Sequence, residues 1–191
     1  MDDKTLIHKI GEGDRSAIGI LVENNKKLVW HIIISMIGNN SDCEDIFQEV
    51  FLQVFKGISR FRADSRISSW IGSITHHICV DYLRKKKKEM IFRNHDNDQD
   101  SIPKPPMNMG WNQLDTKDLN QVVLGTISKL PAEYRTVITL YHLDECSYEE
   151  IAEITGMPGG TVKSYLHRGR NLLREKLVSI IPDLMELLHD V

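Results

Sequence analysis

The chain has 191 residues, a formal charge of −3, 41% hydrophobic residues and 27% charged ones, which suits one large or two small folded domains and argues against a disordered chain. No apolar run approaches the roughly 20 residues of a membrane-spanning helix, so membrane insertion is not expected. Cys43, Cys79 and Cys146 are odd in number and far apart, which argues against a disulfide framework and for a reducing compartment.

The first segment, "MDDKTLIHKIGEGDR", is charged from its second residue, so no signal peptide is expected there. "LVWHIIISMIG" follows and reads as a buried helix. Ser41 and Glu44 have the spacing of a capping box opening a helix from Asp42 to Lys56. Ile46, Phe47, Val50, Phe51, Val54 and Phe55 fall on one half of its wheel, whereas Asp45, Gln48, Glu49, Leu52, Gln53 and Lys56 fall on the other. A leucine among carboxylates and glutamines would suit a protein partner.

A polar loop, "RFRADSRISS", then leads into a helix expected from about Ser69 to Lys88. Trp70, Ile74, Ile78 and Tyr82 share a face of it, which reads Trp70 as core. "HHIC", His76 to Cys79, has poor metal-ligand spacing and no second cluster to complete a four-ligand site, so no metal or other cofactor is expected. His77 and Asp81 are an i,i+4 pair, but no nucleophile or phosphate-binding loop accompanies them, so no catalytic residue and no small-molecule substrate are expected. Between Arg60 and Arg93, nine basic residues, including the run Arg84 to Lys88, are opposed only by Asp64, Asp81 and Glu89. Residues 94–117, acidic and with prolines, read as a flexible linker. It separates a domain at 1–93 from one at 118–180, with a tail at 181–191.

After the linker, "LNQVVLGTISKLPAEYRTVITLYHL" supplies two amphipathic helices, the second opened by Pro131. In "SYEEIAEITG", Ser147 and Glu150 form a capping box and Gly156 supplies a left-handed stop. Pro158 suits the first turn of the helix that follows. Helix, glycine turn and basic helix is the helix-turn-helix pattern. At 100° per residue, Val162, Leu166, Gly169 and Leu173 cluster inward, with Gly169 marking close approach to a neighbouring helix. Thr161, Lys163, Ser164, His167, Arg168, Asn171 and Arg174 fill the opposite arc, suited to phosphates and base edges in a major groove. Tyr165 sits at the edge of that arc, and Arg170 adds to the basic count. A basic face on each of two tethered modules points to nucleic acid. The fold class expected is all-α: two small helical domains joined by a flexible linker, the C-terminal one a helix-turn-helix domain.

The stretch from Leu130 to Leu177 closely resembles the promoter-binding fourth region of bacterial sigma factors, best the extracytoplasmic-function (ECF) group of the sigma-70 family. "DCEDIFQEVFLQVFKGISRFRADSRISSWIGSITHHICVDYLRKKKK" is similar to that group's second region. The resemblance implies a cytoplasmic initiation factor that docks on core RNA polymerase, recognises promoter DNA and helps open the duplex, in many relatives under an anti-sigma factor. It places the minus-thirty-five contacts on Thr161, Lys163, Ser164, Tyr165, His167, Arg168 and Arg170. The polymerase face it implies is Asp45, Gln48, Glu49 and Leu52. For the minus-ten element and melting it implies Phe61, Asp64, Ser65 and His77, which would trap a flipped base by stacking and edge hydrogen bonds, with Arg84 and Lys85 along the backbone. Three positions depart from the family pattern: His77 stands where asparagine is usual, Ile67 where an aromatic is common, and Tyr165 where arginine is frequent. Two alternatives are a stand-alone helix-turn-helix regulator and a mimic that titrates an anti-sigma factor.

Overall fold

The computed structural model describes residues 3–61, 65–94 and 116–180. Among them lie eight α-helices, no strand, and one short 3-10 turn at Ile58–Arg60. Helices α1 (Asp3–Gly11), α2 (Arg15–Ile37), α3 (Cys43–Gly57) and α4 (Ile67–Asn94) form the N-terminal half. Helices α5 (Thr116–Ser128), α6 (Ala132–His142), α7 (Tyr148–Thr155) and α8 (Gly159–Ile180) form the C-terminal half. Most of the expected linker, at 95–115, and the whole tail, 181–191, lie outside the described residues.

Two apolar cores organise these helices. Leu21, Val29, Ile33, Val50, Val54 and Ile71 are fully buried in the first. Val137, Ile138, Leu140, Ile151 and Val162 are fully buried in the second. The apolar run in α2 serves both: Val29 and Ile33 face the first core, and Ile32 is buried in the second. A helix apolar on all sides must be covered on all sides, and here the covering comes from both halves of the chain.

Two helix starts differ from expectation. The Ser41–Glu44 capping box does not form, and α3 opens at Cys43 with no side-chain cap on Asp42. Asn40 does that work instead, its side-chain oxygen accepting from the Asp42 N–H at 2.8 Å and its carbonyl from the Cys43 N–H at 3.3 Å. The Ser41 hydroxyl turns to Asp42 Oδ1. Helix α4 is longer than its periodicity predicts. Its Ile67 N–H donates to Asp3 Oδ2 at 3.2 Å, so a carboxylate from α1 satisfies one of the orphan donors at its start.

The halves are packed together, α2 on α6 and α4 on α7. Among the described residues, four polar contacts cross the junction. His31 Nδ1 lies 2.8 Å from Asp144 Oδ1, and Arg66 Nη1 lies 2.9 Å from Glu150 Oε1. The Arg135 guanidinium donates to the Ser35 carbonyl, and the Ser35 hydroxyl to Thr136 Oγ1 at 3.2 Å.

Candidate nucleic-acid interface

The helix-turn-helix is assembled by local rules. Ser147 Oγ accepts from the Glu150 N–H at 3.1 Å, and Glu150 Oε2 accepts from the Ser147 N–H at 2.8 Å, completing the reciprocal cap. That backbone N–H, with further help from the Ser147 hydroxyl and Arg66, holds the Glu150 carboxyl below its ordinary range. Gly156 ends α7 in the left-handed region, at φ +69°. The carbonyl of Pro158 then accepts from the Thr161 and Val162 N–H groups at 2.8 and 3.1 Å, which starts α8. Val162, Leu166 and Gly169 are buried along its inner side. A Cβ on Gly169 would stand 3.0 Å from Ile138 Cγ1, so only glycine lets α8 lie this close to α6 without adjustment.

This inner seam leaves an outer arc exposed, with Lys163 Nζ 5.9 Å from the centre of the Tyr148 ring. Lys163, Ser164, His167 and Arg168 are exposed on consecutive turns of α8, and Thr161 is half-buried. Asn171 Nδ2 lies 3.3 Å from His167 Nε2, so the arc extends to the next turn. Two of the expected readers behave differently. Tyr165 is half-buried, with its ring edge-on to Tyr134 at 5.2 Å between centroids, so it packs into the second core. Arg170 folds back over the Tyr141 ring at 4.9 Å and donates Nε–H to His142 Nε2 at 3.2 Å. Burial, with Arg170 adding to it, lowers the His142 pKa. Arg170 therefore braces α8 against α6.

In the N-terminal half, Phe61 is half-buried with its ring centroid 5.2 Å from that of Trp70. Trp70 packs on the first core, as its helical face predicts. Ser65 is half-buried, and Asp64 lies outside the described residues. His77 is exposed, and its Nδ1 donates to the Ser73 carbonyl at 2.7 Å. Asp81 meets Arg84 at 3.4 Å. Lys85 is exposed. Lys86, from the same basic run, is held by Asp42 at 2.9 Å and lies 4.8 Å from the centre of the Tyr82 ring.

The opposite side of α3 is also open. Asp45, Gln48 and Glu49 are exposed, and Leu52 keeps 53% of its surface. A large apolar side chain that wet, flanked on its helix by Gln48, Glu49 and Lys56, matches a protein contact better than a core position.

Known proteins agree with this two-part layout. Residues 21–89 match the family model for Sigma-70 region 2, and residues 121–173 match that for Sigma-70, region 4. The ECF RNA polymerase sigma factor SigW of Bacillus subtilis is 32% identical over 179 residues, covering 91% of this chain and 96% of its own. The ECF RNA polymerase sigma-E factor of Escherichia coli K12 is 30% identical over 190 residues, covering 95% and 97%. The chain belongs to the ECF RNA polymerase sigma factors.

Solved structures share the fold of this sigma factor. CnrH, in complex with the cytosolic domain of CnrY, aligns with a TM-score of 0.63 at 20% identity, covering 93% of this chain and 97% of its own. RpoE of Bartonella quintana, in complex with the anti-sigma factor NepR, aligns with a TM-score of 0.64 at 24% identity, covering 83% and 95%. No helix among the described residues is long and apolar enough to cross a membrane. Sequence reasoning about this sigma factor missed Arg66, Arg135 and Asp144, which join its two halves. Their partners are 84 to 113 positions away, so no local pattern pointed to them.

Proposed function

We propose that the chain divides promoter recognition between its halves, in the cytoplasm, on core RNA polymerase. The outer arc of α8 carries this reading: Lys163, Ser164, His167 and Arg168 stand clear of the inner seam on a helix opened by a glycine turn. Such a helix enters a major groove by its N-terminal turns, where hydroxyl, imidazole and guanidinium groups read base edges and lysine meets phosphate. That assigns the minus-thirty-five element to residues 118–180, with Thr161 at the edge of the contact.

Residues 1–93 take the minus-ten element. Phe61 and Ser65 precede the start of α4, and His77, Arg84 and Lys85 follow along that helix. A stacking ring and hydrogen-bonding groups suit an unpaired base, and the cations suit its backbone. The polymerase contact falls on Asp45, Gln48, Glu49 and Leu52 of α3, on a side free of both. An anti-sigma factor is the regulatory partner proposed, since the similar RpoE of Bartonella quintana is held by one.

Run-off transcription with core polymerase and genomic fragments tests the whole reading: the chain should direct initiation from a defined start site. A tight footprint without polymerase would instead indicate a stand-alone regulator. Leu52→Glu should weaken polymerase binding and leave the melting curve unchanged, because Leu52 is half exposed. If that variant unfolds, the α3 face is core and the assignment fails.

A further inference from the structure

We infer that His142 is a positioning residue for the DNA edge of α8: neutral, it holds Arg170 off the duplex, and on taking a proton it releases that guanidinium to a phosphate. The inference deepens the minus-thirty-five reading proposed above and rests on it. Three observations carry it. Arg170 lies on the edge of the outer arc, two turns after Lys163 and one turn before Arg174, and all three are exposed. Its head is nevertheless turned away from that arc, 4.9 Å from the centre of the Tyr141 ring, with Nε–H donating to His142 Nε2 at 3.2 Å. The seat it occupies is built by other helices: Tyr141 and His142 end α6, and the Tyr141 ring is stacked on Tyr148 of α7 at 5.4 Å between centroids.

The His142 contact works in one protonation state. A guanidinium has donors and no acceptor, so the bond needs an imidazole nitrogen without a proton. Neutral imidazole has one such nitrogen, and here it is Nε2. Imidazolium has none and sets a positive charge against the guanidinium, so one proton turns an acceptor into a repelling neighbour. The Tyr141 face remains, but an exposed cation–π contact is weak beside a charge-assisted pair with a phosphate. Among the described residues, no charge of α2, α5 or α7 acts on His142, and Arg170 of α8 is the one that does. The nearest carboxylates in the chain are engaged elsewhere, Asp144 with His31 of α2 and Glu150 of α7 with Arg66. Burial, and then Arg170, lower the His142 pKa from its ordinary 6.5. The latch is therefore closed at neutral pH and opens as pH falls below that value. Release of Arg170 removes its share of the depression, so DNA binding takes up a proton and strengthens with acid.

Four single variants separate the roles. His142→Gln offers a carbonyl that accepts from Arg170 and does not titrate, so the latch stays closed. His142→Ala removes the acceptor and leaves the latch open. Arg170→Gln removes the charge that would be released. Arg168→Ala removes a proposed reader and leaves the latch intact. His142, Arg168 and Arg170 are all exposed, so these variants should keep the fold, which circular dichroism checks. The arc also carries His167, a second imidazole that every one of these chains keeps, so its own response to pH cancels in the comparisons.

Fluorescence anisotropy of the full chain on duplex DNA, titrated with salt at neutral pH and at about pH 5, reads the release, because one phosphate contact adds about 0.9 to the slope of log affinity against log salt. On acidification wild type should steepen by about 0.9 more than His142→Gln. His142→Ala should be steeper than wild type by about that amount already at neutral pH, and Arg170→Gln should show no such increment. Equal steepening in wild type and His142→Gln would overturn the inference. So would an increment that survives in Arg170→Gln, because the protonated imidazole would then be the contact itself. Nitrogen-15 spectra of the full chain test the latch without DNA: the His142 midpoint should rise in Arg170→Gln toward the ordinary 6.5, and an unmoved midpoint would overturn the pair. If Arg168→Ala binds DNA as tightly as wild type, the reading of α8 fails and takes the inference with it. If Arg168→Ala weakens binding while the His142 comparison stays flat, the inference alone fails.

Discussion

The α7–α8 pair and the α3–α4 pair each end in a basic helix, but different forces hold them. In α7–α8 the contacts are apolar and near in sequence: Ile151, Ile154, Val162 and Leu166 are all at least 99% buried, behind a reciprocal serine–glutamate cap. In α3–α4 the middle is apolar, yet the basic end of α4 is moored by charge. Asp42 Oδ2 accepts from the Tyr82 hydroxyl and pairs with Lys86, and both partners lie about forty positions away. Apolar closure responds little to pH or salt, whereas a charge mooring responds to both. Helix α8 is thus presented on a largely apolar mount, and the cationic end of α4 on a charged one.

The strongest way to break this contrast is to cut the mount. Leu166→Ala should destabilise the C-terminal module by about 2–5 kcal/mol, the cost of a buried leucine plus the cavity it leaves. Urea unfolding followed by circular dichroism checks this, and the loss should be the same at low and high salt. A markedly salt-dependent loss would mean that charge also holds α8. Next comes the outer arc, where Arg168 is exposed and its removal should leave stability alone. Arg168→Ala should cost about 1–3 kcal/mol of discrimination if it reads a base. An unchanged minus-thirty-five preference across a promoter library would remove it from the readers.

A smaller effect compares the two Ser-x-x-Glu starts directly. Ser147→Ala should cost about 0.5–2 kcal/mol, because it strips the acceptor for the Glu150 N–H. Ser41→Ala should stay within about 0.5 kcal/mol, because its hydroxyl only reaches its neighbour Asp42. Equal losses in chemical denaturation would erase the distinction between the two helix starts.

That pair also marks how far the sequence could be read. The helix-turn-helix was legible because every signal in it is local: Ser147 and Glu150 cap, Gly156 stops, and Val162, Leu166 and Gly169 recur on one side. Fold class followed from such signals, and the resemblance to the two family regions was carried by the segments that hold them. At the start of α3 the same motif competes with Asn40, whose side chain reaches the backbone first. The start of α4 depends on Asp3, 64 positions earlier. Tyr165 stood at the edge of the arc and Arg170 was named through the resemblance, but their partners Tyr134, Tyr141 and His142 belong to another helix. A wheel orders residues around one axis and says nothing of what stands opposite. For the same reason the junction between halves was invisible: Ile32 reads as one more isoleucine in an apolar run until α6 is laid on it.

The mooring of α4 gives the smallest effect and the one that tests the contrast most directly. The Tyr82 hydroxyl, and then Lys86, hold the Asp42 carboxyl below its ordinary value of 3.8. A carboxyl with a depressed folded pKa contributes stability above its unfolded value and loses it as pH falls through the lower folded one. Wild type should therefore exceed Asp42→Asn in melting temperature by a constant margin from neutral pH down to about 5. That margin should shrink below pH 3.8 and vanish once Asp42 is protonated. Lys86 does not disturb the window, since its pKa is raised, first by Tyr82 and then by Asp42, and it stays charged throughout. The matched pair Leu166→Ala and wild type should keep its full difference across the same range, because the Leu166 side chain itself carries no titrating group and both chains keep Glu150 and His142. A margin for Asp42→Asn that persists undiminished well below the acid window would mean that geometry, not charge, moors the basic end of α4.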